Sequence, residues 1–97
     1  MRMHNPPHPG EFIREVYLEP FGISTRRVAE KLKVSPSTFN RLINGESNVS
    51  PEMALRLSKT LGRSAESWLA LQDNYDLWRA RSQVDLKAVE KLEISVA

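Results

Sequence analysis

Only Lys33, Val34 and Ser35 separate two runs with helical periodicity, and this brevity constrains the fold more than any other feature of the chain. The first run, Thr25 to Leu32, follows Ser24 as an N-cap and keeps Val28, Ala29 and Leu32 on one face. The second follows Ser35 as a cap. It has Pro36 at the first helical position, where the missing N–H costs nothing, and closes at Gly45. So short a connection forces the helices to cross steeply. Close crossing needs a small residue, which Ala29 supplies. Val28, Leu32, Val34, Phe39 and Leu42 fall where the core of such a unit lies. The first turn residue, Lys33, is expected to be left-handed, at a cost of about 1 kcal/mol for a residue other than glycine.

The same punctuation organises the rest of the chain. Residues 1–8 read as a flexible or extended lead. Pro9-Gly10 opens a helix to about Leu18, with Phe12, Ile13, Val16 and Tyr17 on one face, and Glu19-Pro20-Phe21-Gly22 ends it. Ser50-Pro51-Glu52 starts a fourth helix, which stops at Gly62 and carries Met53, Ala54, Leu57 and Leu61 as its apolar stripe. Ser64 caps a fifth, Ala65 to about Arg81, with Trp68, Leu69, Leu71, Tyr75 and Trp78. Caps, stops and periodicity agree on one all-α domain of five helices over residues 9–81, with the helix pair at about 24–45. Residues 82–97 form a tail whose pattern is divided. Asp85 could cap a short helix through Leu92, whereas Ile94 and Val96 alternate like a strand.

Helix Pro36 to Asn44 has an unusual polar complement: Ser37, Thr38, Asn40, Arg41 and Asn44, with no acid at all. An ordinary solvated helix face mixes both signs of charge. Within residues 24–45 stand Arg26, Arg27, Lys31, Lys33 and Arg41 against Glu30 alone. The net charge of the whole protein is only +2, and residues 1–63 hold ten of its 14 Lys and Arg. A basic segment within a near-neutral protein points to a polyanion footprint.

Spacing, turn and core positions together resemble the helix-turn-helix of phage repressors and Cro-like regulators. In such a unit the second helix enters the major groove with its N-terminal residues at base edges. Arginine can hold guanine O6 and N7 together, asparagine adenine N6 and N7, and a threonine methyl packs on thymine. Ser37, Thr38 and Arg41, with Asn40 beside them, are therefore expected to read bases. Thr25, at the N-terminus of the first helix, is expected to meet a phosphate. Arg26, Arg27, Lys33, Ser35 and Asn44 are further phosphate candidates.

Other functions find little support. There is no Cys, and so neither a disulfide framework nor a thiolate metal site. No HExxH spacing or glycine-rich phosphate loop occurs, and His4 and His8 read as bystanders in the lead. Neither enzyme activity, cofactor nor metal is expected. No apolar run is long enough to span a membrane, and MRMHNPPHPG lacks the apolar core of a signal peptide. The expected location is the bacterial cytoplasm.

The flanking segments HPGEFIREVYLEPFGIS and SPEMALRLSKTLGRSAESWLALQDNYDLW narrow the resemblance to HigA-type antitoxins of the XRE superfamily, from about His8 to Arg81. Trp68-Leu69-x-Leu71-Gln72 followed by Tyr75-Asp76-Leu77-Trp78 is the most diagnostic part. The resemblance implies a homodimer on a palindromic double-stranded operator in its own promoter, placing the protein on the nucleoid when bound. It also implies neutralisation of a HigB-type, RelE-like toxin that cuts mRNA, and gives Ser35, Ser37, Thr38 and Arg41 a groove-facing role. Trp68, Leu71, Tyr75, Leu77 and Trp78 form a candidate dimer or partner surface, because a terminal helix carries more large apolar groups there than one face needs. A stand-alone repressor without a toxin shares every DNA-binding residue and is the alternative reading.

Overall fold

The computed structural model describes residues 5–95, and among these the elements are helical throughout. Helix α1, Pro9–Ile13, runs directly into a π-helical segment, Arg14–Leu18. Then follow α2, Thr25–Leu32; α3, Pro36–Ile43; α4, Pro51–Leu61; and α5, Ala65–Gln83. Ser24, Ser35, Ser50 and Ser64 each cap the helix after them, their side chains accepting from Arg27, Thr38, Met53 and Ser67 N–H groups.

One contiguous core joins all the helices. Ile13, Leu18, Val28, Ala29, Leu32, Phe39, Leu42, Ile43, Val49, Ala54, Leu57 and Trp68 are buried in it. The expected inward positions of α2 therefore hold, and of those of α4 Ala54 and Leu57 are buried while Met53 and Leu61 pack half-buried against the core. The first helix differs. Its second half is π-helical, with Glu19 N–H reaching Arg14 O and Ile23 N–H reaching Leu18 O, each five residues back. Such a turn takes one more residue than an α-turn, so the inward stripe moves forward. Leu18 is buried, and Val16, expected inside, is exposed.

Three further differences concern the aromatic helix and the two ends. Trp68 is fully buried, its indole N–H donating to Gly62 O at 2.8 Å. Phe12 and Tyr17 pack on its ring at 6.0 Å. It is a core residue and is struck from the partner surface. In the lead, Pro6 and His8 are buried rather than loose. His8 caps α1, its Nδ1 accepting from Gly10 N–H at 2.9 Å, and meets the Tyr75 ring edge-on at 5.0 Å. His8 thus has a structural role in place of the flexible lead expected there, and His4 lies outside the described residues. Helix α5 continues past Arg81 to Gln83. The segment after it forms a turn in which Lys87 N–H donates to the Asp85 carboxylate and Val89 N–H to Leu86 O. Neither the helix suggested for Asp85 to Leu92 nor a strand at Ile94 forms; Val96 lies outside the described residues.

The packing of α1 on α3 depends on one missing side chain. A Cβ on Gly10 would overlap the Leu42 carbonyl oxygen. The tail, by contrast, is exposed at every described residue from Val84 onward. The radius of gyration is 17.1 Å, against about 13 Å for a compact chain of this length.

Candidate nucleic-acid interface

Both helices of the central pair end in the same hydrogen-bonded device. At the end of α2, Val34 N–H bonds Ala29 O at 3.1 Å and Lys33 N–H bonds Glu30 O. At the end of α3, Glu46 N–H bonds Arg41 O at 2.8 Å and Gly45 N–H bonds Leu42 O. This double bond pattern requires a left-handed residue in the middle. Gly45 supplies it at φ 78°, and Lys33 adopts it at φ 61°, ψ 43° despite carrying a side chain. The left-handed turn residue expected at Lys33 is thus present. Arg56 adds a brace from α4: its Nη1 donates to Leu32 O at 2.7 Å, satisfying a carbonyl in the last turn of α2.

The crossing buries Phe39, Leu42 and Ile43 and turns the other side of α3 outward. Ser37, Asn40, Arg41 and Asn44 are all exposed, at the three-and-four spacing that makes a single stripe. Thr38 sits at the edge of the stripe, half-buried. Its hydroxyl lies 2.8 Å from Ser35 Oγ, which also accepts Thr38 N–H at 3.1 Å and lies 3.2 Å from Ser37 Oγ. The Ser35 hydroxyl is therefore committed to holding the start of the helix, and the first-turn hydroxyls form one small cluster. Of the phosphate candidates, Arg26, Arg27, Lys33, Ser35 and Asn44 are exposed, and Thr25 is half-buried at the start of α2.

The electrostatics follow from what is left unpaired. Ion pairs among the described residues join Arg14 to Glu19 and Arg56 to Glu52. None involves Arg26, Arg27, Lys31, Lys33 or Arg41, so these cations keep their full attraction for an external anion.

Sequence reasoning missed Gln72. It is buried on α5, with Oε1 accepting Val49 N–H at 2.8 Å and Nε2 donating to Asn48 at 3.2 Å and Asp76 at 3.0 Å. It thereby pins the segment between α3 and α4. One signal was available: Gln72 stands four residues after Trp68, inside the apolar stripe, where a polar side chain needs partners. Of the partner-surface candidates, Leu71 and Tyr75 are half-buried, Trp78 is half-buried, and Leu77 is 51% exposed. Leu77, Ala80, Arg81, Val84 and Leu86 line a shallow apolar concavity of about 270 Å³. Beyond it Val89, Leu92 and Ile94 are also exposed.

No group of three or more potential metal ligands gathers among the described residues, and none of their helices is long and apolar enough to cross a membrane.

Comparison with known proteins agrees with this geometry. A helix-turn-helix family model matches residues 13–68. The HTH-type transcriptional regulator YddM of Escherichia coli is 38% identical over 92 residues, covering 95% of this chain and 97% of its own. Antitoxin HigA-1 of Vibrio cholerae is 38% identical over 89 residues, covering 90% and 84%. The solved structure of PA4674 of Pseudomonas aeruginosa in complex with its 18-bp operator DNA superposes with a TM-score of 0.83. It is 33% identical, with 96% of this chain and 100% of that one covered.

Proposed function

Because the chain belongs to the helix-turn-helix family of DNA-binding regulators and antitoxins, not to a class of enzymes, we propose that it is the antitoxin of a toxin–antitoxin pair. In this reading two copies bind a palindromic operator in their own promoter and repress it. The same protein neutralises a HigB-type mRNA-cleaving toxin in the bacterial cytoplasm, and sits on the nucleoid when bound to DNA. Arg41 and Asn40 read base edges, Ser37 and the Thr38 methyl complete the reading stripe, and Arg26, Arg27, Lys33, Thr25 and Asn44 meet phosphates.

The observation that carries the DNA reading is the outward stripe of α3, flanked by cations that no carboxylate neutralises. The likeness to PA4674, solved on its operator, supports the same use of the fold. The name of the V. cholerae relative supports the antitoxin role. The half-open row Leu71, Tyr75, Leu77 and Trp78, continued by the apolar tail, supports pairing with a second copy. Pairing places two recognition helices about 34 Å apart, one turn of DNA.

A stand-alone regulator is favoured by one observation: YddM, named an uncharacterized HTH-type transcriptional regulator, matches over almost its whole length. Footprinting on the gene's own upstream region, with and without the product of the neighbouring reading frame, separates the two. Protection of a two-fold symmetric site that changes when a small basic neighbour is added supports the antitoxin. A neighbour that neither alters the footprint nor co-purifies leaves the repressor. Absence of any footprint removes both.

A further inference from the structure

The loop between α3 and α4 contains an amide whose orientation is fixed from inside the protein. Gln72 has only one way to lie. Val49 N–H can only donate, so the oxygen of Gln72 must face it, at 2.8 Å. The Gln72 amide nitrogen then points both its hydrogens at acceptors: the Asp76 carboxylate at 3.0 Å and Asn48 Oδ1 at 3.2 Å. Asp76 cannot donate when ionised, which excludes the flipped arrangement a second time. Asn48 is the exposed end of this relay. Its oxygen is held inward by Gln72, and its NH₂ group makes no hydrogen bond among the described residues.

We propose that Asn48 is a further DNA-phosphate contact, and that Gln72 is the positioning residue that turns its amide NH₂ outward. The inference rests on the reading of α3 as the recognition helix. That helix has eight residues and is about 12 Å long, close to the width of the major groove. The segment leaving its C-terminal end adjoins the exposed stripe, and so would lie beside the groove that the stripe enters. Asn44 closes the exposed stripe of α3, and the chain passes from it through Gly45, Glu46 and Ser47 to Asn48. A free Asn adjusts its amide either way and presents oxygen or nitrogen. Here the buried acceptor site is used, so only the donor faces out, which suits an anion. Because Val49 N–H and Asp76 belong to the same network, the donor is fixed before DNA arrives, and little ordering remains to be done on binding.

The test uses the full chain and a duplex carrying the footprint from the gene's own upstream region. Single phosphates in that duplex are replaced one at a time by uncharged methylphosphonates. Asn48→Ala should bind roughly 10-fold more weakly, the loss expected of one hydrogen bond to a charged acceptor. One methylphosphonate should weaken the wild type and leave Asn48→Ala unaffected, which a merely structural role would not produce. Gln72→Met should show the same insensitivity at the same phosphate, and the double variant should be no weaker than either single one. Asn48 is exposed, so its variant keeps the proposal testable if Gln72→Met does not fold. Wild-type binding with Asn48→Ala equally tight, or sensitive to the same phosphates as wild type, overturns the inference while the recognition-helix reading stands. Failure of the wild type to bind any such duplex overturns both.

Discussion

The guanidinium of Arg56 on α4 donates to the carbonyl of Leu32 at 2.7 Å, so the first helix of the DNA-binding pair is closed by a residue 24 positions further along the chain. The bond joins the scaffold to the turn that sets the crossing angle. Arg56→Met removes the donor but keeps most of the apolar stem. A charge-assisted bond to a partly exposed arginine is worth about 1–2 kcal/mol, and urea denaturation should show a loss of that size. An unchanged midpoint would mean that water replaces the guanidinium without cost.

Arg41 stands alone among the exposed residues of α3 in carrying a charge. Arg41→Ala should cost about 1–3 kcal/mol on the cognate operator and relax the preference at one base pair. Binding to a panel of single-base operator variants checks this. Equal losses on cognate and random duplex would reduce Arg41 to a phosphate contact.

Operator affinity should fall steeply with salt, because each neutralised phosphate releases its counterion. Replacing Arg26, Arg27 or Lys33 by Ala should lower the slope of log K against log salt by about 1 each, with base preference unchanged. Titrations between low and physiological salt measure it, and a flat wild-type response would dismiss the basic face.

The two tryptophans should separate stability from assembly. Trp68 fills the core, so Trp68→Ala should cost about 3–5 kcal/mol. That is a large share of the 5–15 kcal/mol that stabilises a domain. Trp78 is only half-buried, on the same helix as the exposed Leu77. Trp78→Ala should leave the helical spectrum intact and shift the protein towards monomer in sedimentation. Unfolding by both variants, or a Trp78→Ala protein that remains dimeric, would contradict this division.

His8 makes stability depend on pH. Its Nδ1 accepts the Gly10 N–H, so protonation there destroys the cap, and Nε2 is buried without a hydrogen-bond partner. Burial lowers its pKa from the ordinary 6.5, with Arg79 adding to the effect, while the Ser47 backbone, Asp76 and Glu11 act the other way. The folded chain then binds fewer protons than the unfolded one. Its contribution is complete above 6.5 and is lost as pH falls from there through the lower folded value. His8→Asn keeps a capping acceptor that does not titrate. Denaturation midpoints should fall between about pH 7 and 5.5 in the wild type and stay nearly level in the variant; parallel curves would assign the dependence elsewhere.

The features legible in the sequence are those that act locally. Serine caps, Pro36 and Pro51 at first helical positions and glycine stops mark the helices, because each answers to its own few neighbours. The outward stripe of α3 follows from the same spacing. What escaped notice depends on partners distant along the chain. Val16 and Leu18 exchange roles because a π-turn inserts a residue, which the apolar spacing alone does not reveal. His8 and Arg56 look like ordinary surface residues, and the partners of Gln72 stay hidden, until α1, α2, α4 and α5 are brought together. Trp68 and Trp78 carry the same side chain ten residues apart, and only the depth of the core under each separates core from rim.

At Gly10 only a hydrogen atom stands between the N-terminal helix and the backbone of α3 at Leu42 and Ile43. A methyl group in its place would act as a lever. It would push on the Leu42 carbonyl from behind and tilt the far side of that helix, where Arg41 projects. If α3 is the reading helix as proposed, the depth to which it reaches into a groove depends on a side chain that Gly10, buried on its opposite side, does not have.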